Sequence, residues 1–261
     1  MLAGFYSSAT GMISQSIAMD HITENISNSL VPGYKKQEVI FHSFDEDLYN
    51  EVLKTGPFGA ADFASGIDII QGVTDFSQGA FRSTDNNHDF AIDGEGFFKF
   101  DTGNGQYFSR DGKFAVNSKY ELVTKDGFHV LSDEGAKIVF DSAIPNVAST
   151  FQVRDDGTII SIDTRVEPPK KTEVAKLGMF DFEEVENLER IGYGLWDNKD
   201  NQAGVKDSTS NVRQGYEELS NANAVESMVD MIYNQRLYES NSSALKTLHK
   251  SMQNFISAIA G

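Results

Sequence analysis

The chain has no cysteine, which excludes disulfides, thiolate metal sites and thiol nucleophiles together. It also has no run approaching the ~18 consecutive apolar residues of a membrane-spanning helix. Its opening lacks the basic segment and unbroken apolar core of a secretory signal, because Ser7, Ser8, Thr10, Ser14, Gln15 and Ser16 interrupt every apolar stretch. Cations are in short supply. With 22 Lys and Arg against 39 Asp and Glu the net charge is -17, so a nucleic-acid backbone would be repelled rather than neutralised. Much of the acid lies in residues 41–90, where nine carboxylates face Lys54 and Arg82 for a net -7; such a run is ordinarily a solvated face.

The chemistry of an active site is missing as well. His21, His42, His88, His129 and His249 form no pair at metal-ligand spacing. Asp93-Gly94-Glu95-Gly96 contains Gly-x-Gly, but Phe97-Phe98-Lys99-Phe100 continues it as a strand, whereas a dinucleotide fingerprint requires a helix N-terminus there. Asp85-Asn86-Asn87-His88-Asp89 starts like a calcium loop and then places Phe90 and Gly96 where glycine and a bidentate Glu belong; Asp197 to Ser208 fails at the same two positions. The paired carboxylates Asp155-Asp156 and Glu183-Glu184 have no aromatic pocket beside them. No catalytic constellation, metal site or cofactor site emerges, and the chain reads as a non-enzyme.

What is present is a folding-competent composition, 39% hydrophobic and 11% aromatic, with patterned ends. Leu2, Phe5, Ala9, Met12, Ser16, Met19, Thr23, Ile26 and Leu30 recur in alternating steps of three and four. Tyr238, Asn241, Leu245, Leu248, Met252, Phe255 and Ile259 do the same near the other end. A narrow stripe of this kind is what a coiled coil needs. Ala222, Val225, Val229 and Ile232 form a second stripe offset from the later one, as a stutter would produce.

The organisation expected is an assembly helix within 1–34, an extended and irregular segment over 35–88, a β-domain over 89–212 and a second assembly helix within 213–261. The first helix should run over about 3–29 and stop at Val31-Pro32-Gly33. Leu48, Val52 and Leu53 are compatible with a short helical turn. From 89 to 197 the period falls to two, and short β-rich runs alternate with Asp93-Gly94, Asn104-Gly105, Asp111-Gly112, Asp126-Gly127 and Asp156-Gly157, pairs whose backbones accept positive φ. Residues 197–212 form a polar connection, and Asn221 or Asn223 is placed to cap the last helix. The fold class expected is α+β: a central antiparallel β-rich domain with terminal helices forming a coiled-coil-like inner layer.

Five stretches resemble the flagellar rod and hook proteins. Met19 to Asn28 followed by Val31-Pro32-Gly33-Tyr34-Lys35-Lys36 is similar to that family's N-terminal signature. Asp89 to Phe98 resembles its Gly-x-Gly-Phe-Phe hairpin, and Tyr107 to Phe114 its aromatic-x-Arg-Asp-Gly-x-Phe strand pair. Gln214 to Asn223 and Met231 to Glu239 resemble the start and middle of its C-terminal helix. Two positions depart from the pattern: Leu30-Val31 stands where Thr is usual, and Leu237 where Ala is. The resemblance implies an axial subunit of the flagellar basal-body rod, exported by the flagellar type III apparatus without signal cleavage and resident in the rod that crosses the periplasm. The implied partners are copies of itself, neighbouring rod and hook subunits, the export apparatus and ring bushing proteins, with no nucleic acid and no membrane insertion. A chain of 261 residues is short for a hook subunit, and the opening from Gly4 to Met12 leans toward the proximal-rod FlgF type over the distal-rod FlgG type. The assembly interface is then expected along Leu2, Phe5, Ala9, Met12, Met19, Ile26 and Leu30 in the first helix. In the second it is expected along Val225, Val229, Ile232, Tyr238, Leu245, Leu248, Met252, Phe255 and Ile259. The competing class is a monomeric ligand-binding β-domain that the helices merely cap.

Overall fold

A computed structural model describes residues 2–43, 67–141, 151–163, 169–192, 194–198, 205–206 and 210–260. The helical turn expected around Leu48, Val52 and Leu53, most of the calcium-like loop at 197–208, and the side chains of Leu2 and Ile259 lie outside the described residues. The chain forms two compact units that each collect distant segments: residues 1–28, 36–75 and 222–261 in one, and 29–35 and 76–221 in the other. The architecture is mixed, with antiparallel β-sheets and two long helices.

The first unit holds both helices. Helix α1 spans Leu2–Ser27 and helix α2 spans Ala224–Ala260. Pro32 disfavours helix in the residue before it, and Gly33, at φ 68°, takes the left-handed turn that redirects the chain. At the other helix Asn223 is the cap: its Oδ1 accepts the Val225 N–H at 3.0 Å, satisfying one of the orphan donors of the first turn. An antiparallel hairpin of strands Gln37–Ser43 and Ile67–Thr74 completes this unit, within the segment read as extended and irregular.

The second unit is built on short antiparallel strands around two apolar clusters. Strand Phe97–Asp101 is central, pairing with Gln106–Ser109, His129–Val130 and Met179–Asp181. Successive side chains of a strand point to opposite faces, and here that splits neighbours: Phe98 enters a core with Phe90, Phe114 and Phe151, while Phe97 joins Phe108, Phe182 and Trp196. Across residues 170–181 the chain forms two strands, Lys170–Lys176 and Met179–Asp181. Strand Lys170–Lys176 belongs to a separate sheet, beside Thr158–Asp163.

The glycine turns differ from expectation at two places. Gly94, Gly127 and Gly157 take positive φ, but in the next turn the positive φ falls on Gly103 instead of Gly105, where the Gly103 N–H donates to Asp101 Oδ1 at 2.8 Å. Gly112 needs no left-handed backbone. It is required by contact, because a Cβ there would run into the carbonyl of Phe90, whose N–H donates to the Gly112 carbonyl at 3.0 Å.

Candidate assembly site

The two helices run antiparallel. A Cβ on Gly4 would meet Leu248 Cδ1 at 3.5 Å, and one on Gly11 would meet Asn241 Nδ2 at 2.9 Å, so seven steps forward on α1 are seven steps back on α2. The same register brings Ala18 level with Asn234 and Asn25 level with Ser227, and the Ala18, Asn25 and Ser227 side chains are buried. Gly4, Gly11, Ala18 and Asn25 therefore make a heptad line of small and polar residues along which the helices approach closely. The line differs from the apolar stripe read in the sequence. Phe5, Ala9, Met12, Met19 and Ile26 lie to one side of it, all half-buried.

The stripes of α2 separate by face. Tyr238, Leu245 and Leu248 are half-buried on the side turned to α1. At about 100° per residue, Val225, Val229 and Ile232 fall on the opposite side, 70%, 61% and 54% exposed. The register offset between the two stripes thus gives α2 two apolar faces, one filled within the chain and one uncovered. Met252 and Phe255 are also exposed, in the turns where α2 continues past the start of α1, and Leu30 is exposed in the turn after α1.

Asn25 joins α1 to the hairpin. Its Nδ2 donates to the Gln37 carbonyl at 2.8 Å and its Oδ1 accepts the Gln37 N–H at 3.0 Å, so one side-chain amide pairs with the backbone as a neighbouring strand would. His21 Nδ1 lies 3.0 Å from Gln37 Oε1, and its ring packs where Gly72 leaves room.

A buried charge junction lies in the second unit. Lys35 Nζ is 2.7 Å from Glu218 Oε1 and donates to the Ser77 carbonyl at 2.8 Å. The same carboxylate oxygen accepts the Gly79 N–H at 2.8 Å, and Arg110 Nη1, which donates to the Gly94 carbonyl at 2.8 Å, is 3.5 Å from Glu218 Oε2. Glu217 points the other way along the strand Tyr216–Glu218, where Arg82 and, at 2.6 Å, Lys113 meet it. The turn after α1 is fixed to the same strand, since the Gly33 N–H donates to the Glu218 carbonyl at 2.9 Å and a Cβ on Gly33 would come within 2.6 Å of the Arg110 backbone. Residues from four of the five signature stretches meet here: Gly33 and Lys35, Gly94, Arg110 and Lys113, Glu217 and Glu218.

Burial sets the electrostatics. It pulls the Arg110 guanidinium down from its ordinary value against the opposing pull of Glu218. It pushes the Glu217 carboxyl up, but hydrogen bonds from Lys113 and Arg82 outweigh it and hold that carboxyl below its usual range. Burial leaves Asp111 raised. These are structural charges, held inside by partners because an unpaired buried charge is costly. Among the described residues no group of three or more His, Asp or Glu is placed to hold a metal ion, and no helix is long and apolar enough to cross a membrane.

Sequence reasoning did not single out Gly11, Asn25, Lys35, Arg110 or Glu218 as structural contacts. The signals were the small residues recurring every seven positions on α1, and two adjacent carboxylates inside a strand-like run, where solvent would receive only one of them.

Comparison with known proteins gives the family. Residues 91–161 match the family described as the flagellar hook protein FlgE/F/G D1 domain, and residues 213–258 match the flagellar basal body rod FlgEFG protein C-terminal family. The flagellar basal-body rod protein FlgG of Bacillus subtilis is 29% identical over 98% of both chains. The FlgG of Borreliella burgdorferi is 31% identical over 95% of both. The flagellar basal-body rod protein FlgF of Caulobacter vibrioides is 29% identical over 85% of this chain and 83% of its own. The chain belongs to the flagellar basal-body rod protein family, whose members are structural and not enzymes.

Proposed function

We propose that this chain is an axial subunit of the rod, polymerising through its terminal helices into the shaft that transmits torque. The observation that carries this reading is the uncovered face of α2, where Val225, Val229 and Ile232 are exposed opposite the side occupied by α1. Full burial of each against a neighbour contributes roughly 1.5 to 3 kcal/mol. That is enough to favour order at a growing tip that already presents a complementary face, whereas helices of this length are marginal alone. Coiled-coil packing between subunits is part of this reading, with the half-buried line of Phe5, Met12, Met19 and Ile26 as the α1 contribution. Its partners are other copies, neighbouring rod and hook subunits, the export apparatus that delivers it without cleaving a signal, and a ring bushing protein around the rod.

Two rod positions have support. FlgG relatives align over 95% to 98% of the chain at 28% to 31% identity, which favours the distal rod. The opening residues Gly4 to Met12 favour the proximal one.

The test replaces Val229 and Ile232 with Asp. Leu245 and Leu248 are poorer targets, because Leu248 packs beside Gly4 within the chain. Val229→Asp with Ile232→Asp should leave the unfolding of the β-rich unit unchanged and abolish incorporation into basal bodies, scored by immunoblot of purified particles. Wild-type incorporation by that variant would show that this face is not the polymer contact and would revive the reading of α2 as a cap on a monomeric binder.

A further inference from the structure

The helical unit is electrically polar along its length. At one end stand Asp20 and Glu24 of α1, Glu226 and Asp230 of α2, and Glu38 of the hairpin. Lys36 stands among them, 2.8 Å from Glu38 and within the field of Glu226 and Asp230, so these described residues set five carboxylates beside one ammonium. At the other end Lys246, His249 and Lys250 stand on α2, residues 240–260 contain no Asp or Glu, and α1 has no acid before Asp20. An antiparallel pair keeps these poles apart, because the acidic half of α1 lies beside the acidic start of α2.

Each pole also carries uncovered apolar surface. The acidic pole has Val225, Val229 and Ile232. At the basic pole α2 outruns its partner, with 37 residues against 26. The register of Gly4 with Leu248 brings Leu2 level with Lys250, so Ser251–Ala260 extends beyond α1. Met252 and Ile256 continue along that overhang the face that Leu245 and Leu248 turn toward α1, and both are exposed. The overhang is therefore a continuation of an existing interface with its filling absent.

We propose that copies of this chain stack head to tail, the apolar overhang of one α2, with Lys246, His249 and Lys250 at its base, docking on the acidic pole of the next copy. The proposal rests on the reading of the chain as a self-assembling subunit and adds its polarity. An end-to-end contact related by a two-fold axis would bring like poles together, and like charges in apposition oppose it. Unlike poles select a heterologous contact, which repeats without closing and gives a filament. At physiological salt the screening length is about 8 Å, so charges in contact across the junction still attract while more distant ones do not.

The experiment uses the full chain and two charge-reversed variants. Lys246→Glu with Lys250→Glu makes both poles acidic; Asp20→Lys with Glu226→Lys and Asp230→Lys makes both basic. Self-association is followed by analytical ultracentrifugation and negative-stain microscopy. Wild type should assemble, more weakly as salt rises, and each variant alone should associate about tenfold or more weakly. An equimolar mixture of the two variants should assemble again, because each pole then meets its complement; that rescue also shows that both variants fold. Wild-type assembly with variants that assemble equally well alone, or with a mixture that stays dispersed, overturns the polarity and leaves the subunit reading intact. A wild-type chain that never self-associates overturns both.

Discussion

Lys35 Nζ lies 2.7 Å from Glu218 Oε1, with both side chains withdrawn from water and 183 positions between them in the chain. One of the two follows α1 in sequence and the other precedes α2. The pair therefore fastens together the strands of chain that lead out of the first helix and into the last, within a unit made mostly of residues from the middle. A buried pair is a poor source of net stability but an exacting one, because either charge left alone is penalised heavily.

Glu218→Ala should destabilise the β-rich unit by about 3 to 5 kcal/mol, since Lys35 and Arg110 would remain buried without their carboxylate. Trp196, the chain's one tryptophan, lies in that unit and reports its denaturant unfolding by fluorescence. A loss below about 1 kcal/mol would mean the cations escape to solvent on substitution and the pair is not the fastening described.

Acid should weaken the same unit through Glu217. Its carboxyl is held below the ordinary value of 4.5 in the folded state. The stability it supplies is complete above that ordinary value and is lost as pH falls through the depressed one. Asp111 acts with the opposite sign: its raised carboxyl gains a proton more readily when folded, so its contribution grows as pH falls through the raised value and levels off below 3.8. Glu217→Gln isolates the first effect, and the slope of unfolding free energy against pH below 4.5 should become shallower in that variant than in wild type.

Asn25→Ala should release the hairpin from α1. Two hydrogen bonds are lost, and the Gln37 N–H and carbonyl are left without that partner, for about 2 to 3 kcal/mol. Amide hydrogen exchange at Gln37 reads this locally: its protection should fall well before that of the α2 amides. Unchanged exchange at Gln37 would mean that the hairpin is held by its strand pairing alone.

Two glycines should respond differently to the same methyl group. Gly11→Ala meets only the tip of the Asn241 side chain, which can turn aside, while alanine favours helix by about 1 kcal/mol over glycine, so the change should be near neutral. Gly112→Ala meets the Phe90 carbonyl in a packed strand and should destabilise the β-rich unit by several kcal/mol. Thermal unfolding of the two variants compares them directly, and equal effects would contradict the contact geometry.

The helices and most strands were legible because they rest on local pattern. Phe97 to Phe100 alternates faces as a strand must, Asp126-Gly127 turns as that pair must, and Asn223 caps the helix that follows it. The junction was not legible, because Lys35, Arg110 and Glu218 meet only through long-range folding, and a lysine after a helix end reads as a solvated charge until the strand opposite is known. The line along which α1 and α2 approach each other was hidden for a related reason. A search for apolar heptads follows Phe5, Met12 and Met19, whereas close approach of two helices selects residues with little side chain, such as Gly11 and Ala18, which register as weakly apolar or not at all. The offset within α2 was visible as two stripes; that one of them faces away from α1 required the coordinates.

The pairing of Gly4 with Leu248 joins residues 244 positions apart, 248 less 4. A chain made N-terminus first presents α1 before α2 and cannot zip the two together until the residues between them have emerged. The β-rich middle is free to condense meanwhile. A chain cut short before α2 would have its β-rich body and no partner within itself for α1.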